Sequence, residues 1–410
     1  MSADADNTEV TVRWAAELAA IAREHGTPCF VYLVPEIEAR IAAIAEALPG
    51  VFTVAYAMKA NPNPALLRAL ARRIPRVDVS SGGELARALE CGYAPAAIGF
   101  TGPAKSDAEL ALALAHGVEV VLESRSEARR LSALARACAR PAAVLVRVAP
   151  THVPAGFGDT MAGRPTAFGI DEDEIDDALR EIAALPGLTL VGLHAYSGTQ
   201  CLRADAIAEN WGIYAECFRS LASRHGLRPR RLVFGSGLGI AHHDGQHTVA
   251  IAEVGARARA TLDRLRADPR CGEAEWVLET GRYLVGEAGV YLTRVVTRKR
   301  SRGSEVAICD GGMNHHLAAA GHLGMVVRRP YRLRKLGAGA DDPRAKVLVC
   351  GPLCTSLDGF ARDLELPVLH EGDVLALVPS GAYALSSSPV GFISHPPPAE
   401  HVIEAATGRR

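Results

Sequence analysis

Between residues 53 and 279, short apolar β-type runs alternate with Ala/Leu/Arg-rich helical stretches, and that alternation leaves few folds open. The runs are Thr53–Met58, Arg76–Ser80, Ala97–Thr101, Val118–Glu123, Ala143–Val148, Leu188–Tyr196, Arg231–Gly235 and Trp276–Glu279. Helical periodicity fills 64–73, 83–91, 105–116, 125–139, 173–184, 204–225 and 247–267. Eight strands with mostly short strand-to-helix steps, over about 250 residues, predict a (β/α)8 barrel. A doubly wound sheet usually has fewer strands and often a glycine-rich loop after the first. Here the first loop reads Lys59-Ala-Asn-Pro-Asn-Pro64 and has no glycine.

Beyond about residue 285 the pattern changes. Val290–Arg298, Glu305–Cys309, Lys346–Cys350, Asp373–Leu377 and Val390–Ser394 are β runs separated by Gly/Pro/Asp turns, which predicts an antiparallel β domain. The strand-like Pro28–Leu33 is expected to join that sheet. The expected organisation is therefore α/β plus all-β: an N-terminal segment 1–35 lending a strand, a barrel 36–283, and a C-terminal β domain 284–410. Gly337–Arg344 has loop composition and is expected to be mobile.

Composition excludes several classes of partner. The net charge is -1, which gives no support for nucleic acid or a membrane surface. No apolar stretch reaches the roughly 20 residues of a bilayer span. Nine cysteines without a CxxC pair, after an acidic and polar N-terminus, point to free thiols and a cytoplasmic location. His242-His243-Asp244 and His315-His316 have no spaced carboxylate or cysteine partner, so no metal is expected.

Polar residues gather at the carboxyl ends of the predicted strands, where a barrel keeps its chemistry. Lys59 follows the first, Asp78 and Ser80–Ser81 the second, Glu123 the fourth and Arg147 the fifth. His194 and Tyr196 end the sixth, Gly235-Ser236-Gly237-Leu-Gly239 follows the seventh, and Glu279-Thr-Gly281-Arg282-Tyr283 follows the eighth. A glycine turn lets backbone N–H groups approach an anion, and an arginine adds a charge-assisted contact. An amine held at a strand end can be tuned to condense with a carbonyl. Pyridoxal 5′-phosphate satisfies both halves.

These residues carry a resemblance that runs from about Thr27 to His401. Its blocks are Ala55-Tyr-Ala-Met-Lys-Ala-Asn61, Asp78-Val-Ser-Ser-Gly-Gly-Glu84, Gly192-Leu-His-Ala-Tyr-Ser-Gly-Thr199, Glu279-Thr-Gly-Arg-Tyr283, Gly351-Pro-Leu-Cys354 and Ser380-Gly-Ala-Tyr383. The chain resembles the fold-type III, alanine-racemase-like pyridoxal-phosphate enzymes, in their ornithine/diaminopimelate decarboxylase branch. The resemblance implies Lys59 as the Schiff-base lysine and Glu279 as the partner of the pyridine nitrogen. Thr199, the Gly235–Gly237 turn with Ser236, Gly281, Arg282 and Tyr383 would hold the phosphate. Asp78, Glu84, Arg147 and His194 match positions around the cofactor. A homodimer is also implied, with the partner's Cys354 and the loop after it completing each site and Cys354 as the proposed proton donor.

Three departures bear on the substrate. The family's ring-stacking histidine is Tyr196 here. The acidic residue after the cysteine, which grips a distal amine, is Thr355, although Asp358 remains three positions on. The arginine that binds a distal carboxylate is missing: Asp310-Gly-Gly-Met-Asn314 continues as His315-His-Leu-Ala318. An unpaired substrate charge in a desolvated pocket is costly, so free diamino acids are disfavoured. The block Gly351–Asp358 and the run Ser380-Gly-Ala-Tyr-Ala-Leu-Ser-Ser-Ser-Pro389 through Ser394 are similar to a narrower subgroup. Its members act on aminoacyl groups tethered to acyl-carrier proteins, with relatives in exosortase-linked gene clusters. The expectation is an α-decarboxylase in a specialised biosynthetic pathway, acting on an amino acid or on a carrier-protein thioester, with Thr355, Asp358, Asn314 and His315 near the substrate. The basic stretches Arg294–Arg302 and Arg328–Lys335 could receive an acidic carrier. A decarboxylase of free diaminopimelate, ornithine or lysine is the alternative. An amino-acid racemase or a non-catalytic regulator is the alternative of another class.

Overall fold

The computed structural model describes residues 10–323 and 329–405, so the first nine residues and Arg328 of the second basic stretch lie outside it. The chain divides into two compact units. One is Arg40–Ile240 with Thr248–Tyr283; the other takes the described residues of Met1–Ala39, Ala241–His247 and Leu284–Arg410.

In chain order the strands begin with β1 (Cys29–Leu33), which belongs to the second unit. The barrel unit follows with β2 (Thr53–Ala57), β3 (Arg76–Val79), β4 (Ile98–Phe100), β5 (Glu119–Leu122) and β6 (Ala142–Ala149). Two-residue strands β7 (Asp159–Thr160) and β8 (Ile170–Asp171) lie in the long connection to β9 (Leu188–Ala195). After the short β10 (Gly198–Thr199) come β11 (Arg231–Gly235) and β12 (Glu275–Thr280). The eight full strands pair in parallel in the order β5-β4-β3-β2-β12-β11-β9-β6, and a β5–β6 pairing closes the ring. The (β/α)8 expectation is met.

The strand-to-helix turns explain why the barrel winds as it does. Asn63, Ser81, Ser106 and Ser124 each cap the following helix with a side-chain oxygen. Inside the barrel Ala55, Val121, Leu145, Val191, Val233 and Val277 pack as one apolar cluster. At the amino ends of the strands, Arg76 and Arg231 share Glu119 and Glu275: Arg231–Glu275 is 2.8 Å and Arg76–Glu119 is 3.4 Å. Ion pairs at that face of a barrel serve stability, not catalysis. Arg231→Met is expected to cost about 1–3 kcal/mol, between the values for exposed and buried pairs. Urea unfolding should show this loss while kcat stays within about twofold, since the network lies away from the reacting groups.

The second unit is a mostly antiparallel sheet. Its strands are β1, β13 (Gly289–Ser301), β14 (Ser304–Cys309), β15 (Arg332–Lys335), β16 (Arg344–Cys350), β17 (Gly359–Pro367), β18 (Val374–Val378) and β19 (Ala399–Ile403). The order is β15-β18-β13-β14-β16-β17, with β1 on β13 as expected and β19 on β1. The antiparallel expectation is met for most of the sheet, while two pairings, β14–β16 and β1–β19, are parallel. Val10, Trp14, Leu18 and Ala22 from the N-terminal helices cover the sheet over Val31, Leu33, Val290 and Val378. The predicted strand Val390–Ser394 is not one. Ile393 and Ser394 both sit at φ 59°, and the segment forms a short 3-10 turn. Of the stretch Gly337–Arg344, residues 337–343 form a turn in which Asp342 accepts the Gly339 N–H at 3.0 Å, and Arg344 opens β16.

Candidate active site

Strand ends bring Lys59, Asp78, Arg147, His194, Tyr196 and Glu279 together in the barrel unit. Lys59 lies in the 3-10 turn Met58–Ala60 directly after β2. Its neighbours Met58 and Ala60 are fully buried, whereas the Lys59 side chain is exposed. The turn is braced from below, because the buried Tyr56 hydroxyl donates to the Asn61 carbonyl at 2.9 Å. The Lys59 ammonium stands 5.6 Å from the centre of the Tyr196 ring.

Glu279, at the end of β12, is 7 % exposed, and its Oε2 lies 3.0 Å from His194 Nε2. Burial pushes this carboxyl up, but His194, Lys59 and Arg147 outweigh it and hold Glu279 below the usual carboxylate range. Asp78 goes the other way. Burial, reinforced by the negative charge of Glu279, pushes it well above its ordinary value, although Thr101 donates to it at 2.8 Å. The two acids of one site are thus shifted in opposite directions, Asp78 up and Glu279 down.

Arg147 is anchored by Glu123, at 3.0 and 3.2 Å, and donates to the Tyr196 carbonyl at 3.2 Å. Its guanidinium also faces the rings of Phe168 at 4.8 Å and Tyr196 at 5.9 Å. Behind it Glu123 accepts backbone N–H groups of Gly102 and Gly169, and the buried pair Lys105–Glu127, 2.9 Å apart, supports Glu123 through its backbone. Burial raises Glu123, but Arg147 and the Gly102 N–H outweigh it. The Glu84 carboxylate accepts the Ser80 N–H at 2.8 Å and so fastens its own loop.

The Gly235–Gly237 turn follows β11. A Cβ at Gly235 would lie 2.4 Å from the Tyr196 ring, and one at Gly237, which has φ 69°, would lie 2.7 Å from Phe157. Gly281 is as tight: a Cβ there would meet Ala60 at 2.8 Å. Ser236 is buried between the first two, and its N–H is bonded to the Glu279 carbonyl. Thr199 is half-buried in β10, with its carbonyl accepting the Gly158 N–H, and Arg282 opens the helix after Gly281. The buried atoms Asp78 Oδ2, His194 Nδ1, Ser197 Oγ and Thr280 Oγ1 have no hydrogen-bond partner among the described residues. Bare backbone turns beside an amine and unsatisfied buried polar atoms fit a phosphate-bearing aromatic aldehyde.

The remaining sequence-derived candidates lie in the second unit, where Cys354 is exposed and Thr355 half-buried. Tyr383 has φ 52°, a left-handed conformation unusual for a bulky residue. Asn314 and His315 are buried; His315 bonds Tyr291 at 3.1 Å and the Pro396 carbonyl at 3.1 Å. Asp358 is buried against backbone N–H groups of Met313 and Leu353. Thr101, Phe157, Phe168, Lys105 and Glu127 escaped the sequence reading. Only the polar ones carried a signal, as Glu127 repeats the strand–Ser–x–x–Glu spacing seen at Glu84.

Asp78 offers a test by titration. A carboxyl raised by folding contributes most below its unfolded pKa, and that contribution is lost as the pH rises through the folded value. The cofactor-free protein should therefore lose stability relative to Asp78→Asn as the pH climbs from about 4 to neutrality. Urea unfolding across that range measures the difference. Two parallel curves would contradict the raised pKa.

A parallel barrel with a strand-end lysine, a glycine cradle and an ionised carboxylate defines a pyridoxal-phosphate enzyme. Residues 34–286 match the family model for the pyridoxal-binding domain of pyridoxal-dependent decarboxylases. The chain is 33 % identical over 392 residues to the L-glutamyl-[BtrI acyl-carrier protein] decarboxylase of Niallia circulans, covering 94 % of this chain and 90 % of that one. It is 34 % identical over 401 residues to diaminopimelate decarboxylase of Methanothermobacter thermautotrophicus, covering 95 % and 89 %. The crystal structure of Helicobacter pylori diaminopimelate decarboxylase complexed with L-lysine superposes with a TM-score of 0.82 at 26 % identity, covering 94 % of each chain. The chain belongs to the pyridoxal-dependent decarboxylase family and is a carboxy-lyase. Among the described residues no helix is long and apolar enough to cross a membrane.

Proposed function

We propose that this decarboxylase acts on an aminoacyl group tethered to a carrier protein through its distal carboxylate. Loss of the α-carboxylate requires that group to be free, so a thioester can only occupy the side-chain end. One observation carries the reading. The segment Asp310–Ala318 contains no lysine or arginine, and both of its histidines are buried. Burial lowers His315, and it takes His316 down to about 3, so neither is charged at neutral pH. That segment offers no cation to a free distal carboxylate. A thioester needs none. The similarity to the Niallia circulans enzyme agrees. The diaminopimelate decarboxylase relatives support a second reading, a free diamino acid.

The residue roles are part of the proposal. Lys59 would hold the cofactor's carbonyl carbon, and the Gly235–Gly237 turn, Thr199, Gly281 and Arg282 its phosphate. When bound, pyridoxal phosphate supplies an electron sink for the pair left behind by departing CO2. Glu279, kept ionised by its neighbours, would hold a proton on the ring nitrogen and so deepen that sink. Tyr196, fixed by Arg147 through its carbonyl, would stack on the ring face. Asp78, its carboxyl raised by burial and by Glu279, would accept the Thr101 hydroxyl and line the site beside Glu279. Cys354 Sγ would deliver a proton to Cα. Its exposure on the single chain, beside Leu357 at 47 % exposed, supports a homodimer in which Cys354 of one subunit serves the other's barrel.

Mass spectrometry of glutamyl-loaded carrier protein beside free diaminopimelate, ornithine and lysine tests the substrate. CO2 loss from the tethered substrate at about 100-fold higher kcat/KM is expected, the cost of an unmatched distal charge. Preference for a free diamino acid would contradict the proposal.

A further inference from the structure

We propose that Asp358 is a positioning residue: it clips the turn carrying Gly312 and Met313 to the turn carrying Gly351 and Leu353, and so places the Cys354 thiol. The proposal rests on the reading of Cys354 as proton donor. Asp358 Oδ1 accepts the Met313 N–H at 2.7 Å, and Oδ2 accepts the Leu353 N–H at 2.8 Å. The loop closes on itself as well, with the Gly351 N–H on the Asp358 carbonyl at 3.3 Å and the Asp358 N–H on the Thr355 carbonyl at 3.4 Å.

The fit around the carboxylate is close. A Cβ added at Gly312 would lie 2.4 Å from Oδ1; one at Gly351 would lie 2.4 Å from Oδ2 and 2.4 Å from the Gly312 Cα. Two glycines therefore let two backbones close on one carboxylate. With both oxygens on backbone donors and the residue 4 % exposed, Asp358 is poorly placed to grip a substrate amine. Its retention beside Thr355 is then unconnected with the substrate's distal charge. The geometry it sets is that of the proton donor, one residue beyond Leu353, and of Asn314, one beyond Met313. A misplacement of about 1 Å at a reacting group can cost about 100-fold in rate.

Asp358→Asn in the holoenzyme replaces one acceptor by an NH2 group facing a backbone N–H, which breaks one half of the clip. The expected result is a drop in kcat of about 10- to 100-fold, equal for every accepted substrate, with KM within about threefold. Alkylation of Cys354 by iodoacetamide should also change rate in the folded variant. Unchanged kcat with a KM loss confined to substrates bearing a distal amine would overturn the proposal in favour of an anchor. A variant that does not fold leaves a decisive measurement on the wild type. Hydrogen exchange must show the Met313 and Leu353 amides protected together, and fast exchange at either overturns the clip. If Cys354→Ser keeps full turnover, the reading of Cys354 fails instead, while amide protection still judges the clip on its own.

Discussion

Lys59→Ala is expected to lose the visible absorbance of bound cofactor and to cut kcat by about ten-thousand-fold or more, the scale seen when a covalent group is removed. The fold should survive. The Lys59 side chain is exposed, while the turn that carries it is held by Met58, Ala60 and the Tyr56–Asn61 bond. Charge and nucleophilicity can be separated. Lys59 pulls down the pKa of Asp78, Glu84 and Glu279. Lys59→Arg keeps that field but has no amine to condense with the aldehyde. Both variants should lack the absorbance, which spectrophotometry of the purified proteins checks. A coloured, active Lys59→Arg protein would sink the assignment.

Glu279→Gln carries the second large effect. The glutamine keeps the shape beside His194 but removes the negative charge, so in the role proposed for Glu279 a proton on the ring nitrogen would no longer be favoured. A loss of about 100- to 1000-fold in kcat is expected, comparable to deleting one preorganised electrostatic group, with KM nearly unchanged. The charge also has a linkage signature. A carboxyl depressed by folding contributes stability above its unfolded pKa, and loses it as the pH falls through the folded value. The cofactor-free wild type should therefore be stabilised relative to Glu279→Gln near neutrality, and that advantage should vanish in acid. Steady-state kinetics and unfolding at several pH values read the two effects separately. Equal kcat in both proteins would show that the carboxylate does not set the chemistry.

Much of this site was legible in sequence because a barrel converts strand ends into one constellation. Lys59, Asp78, Arg147, His194 and Glu279 lie at or near the ends of apolar runs, so locating the runs located the residues that the barrel brings together. What lay off the strands was hidden. Phe157, which walls Gly198 and Gly237, sits in the irregular connection between β6 and β9, where no periodicity marks a contact. Asp358 could be seen as retained, but a carboxylate facing backbone N–H groups reads the same as one facing a ligand. The β unit was harder. β17 contains Arg-Asp-Leu-Glu, charged on its exposed side, and gave no apolar run, whereas Val390–Ser394 had the composition of a strand and the backbone of a turn. Parallel pairing of β14 with β16 depends on a long crossover that local pattern does not encode.

The direct measurement is the fate of the two Cα substituents during turnover in D2O with α-carboxyl-labelled substrate, tethered and free. Decarboxylation gives labelled CO2 and one deuterium at Cα in equal amounts. Deuterium entering Cα while the label stays on the substrate would be the result of proton exchange without carboxylate loss, and would contradict the roles given to Lys59 and Glu279.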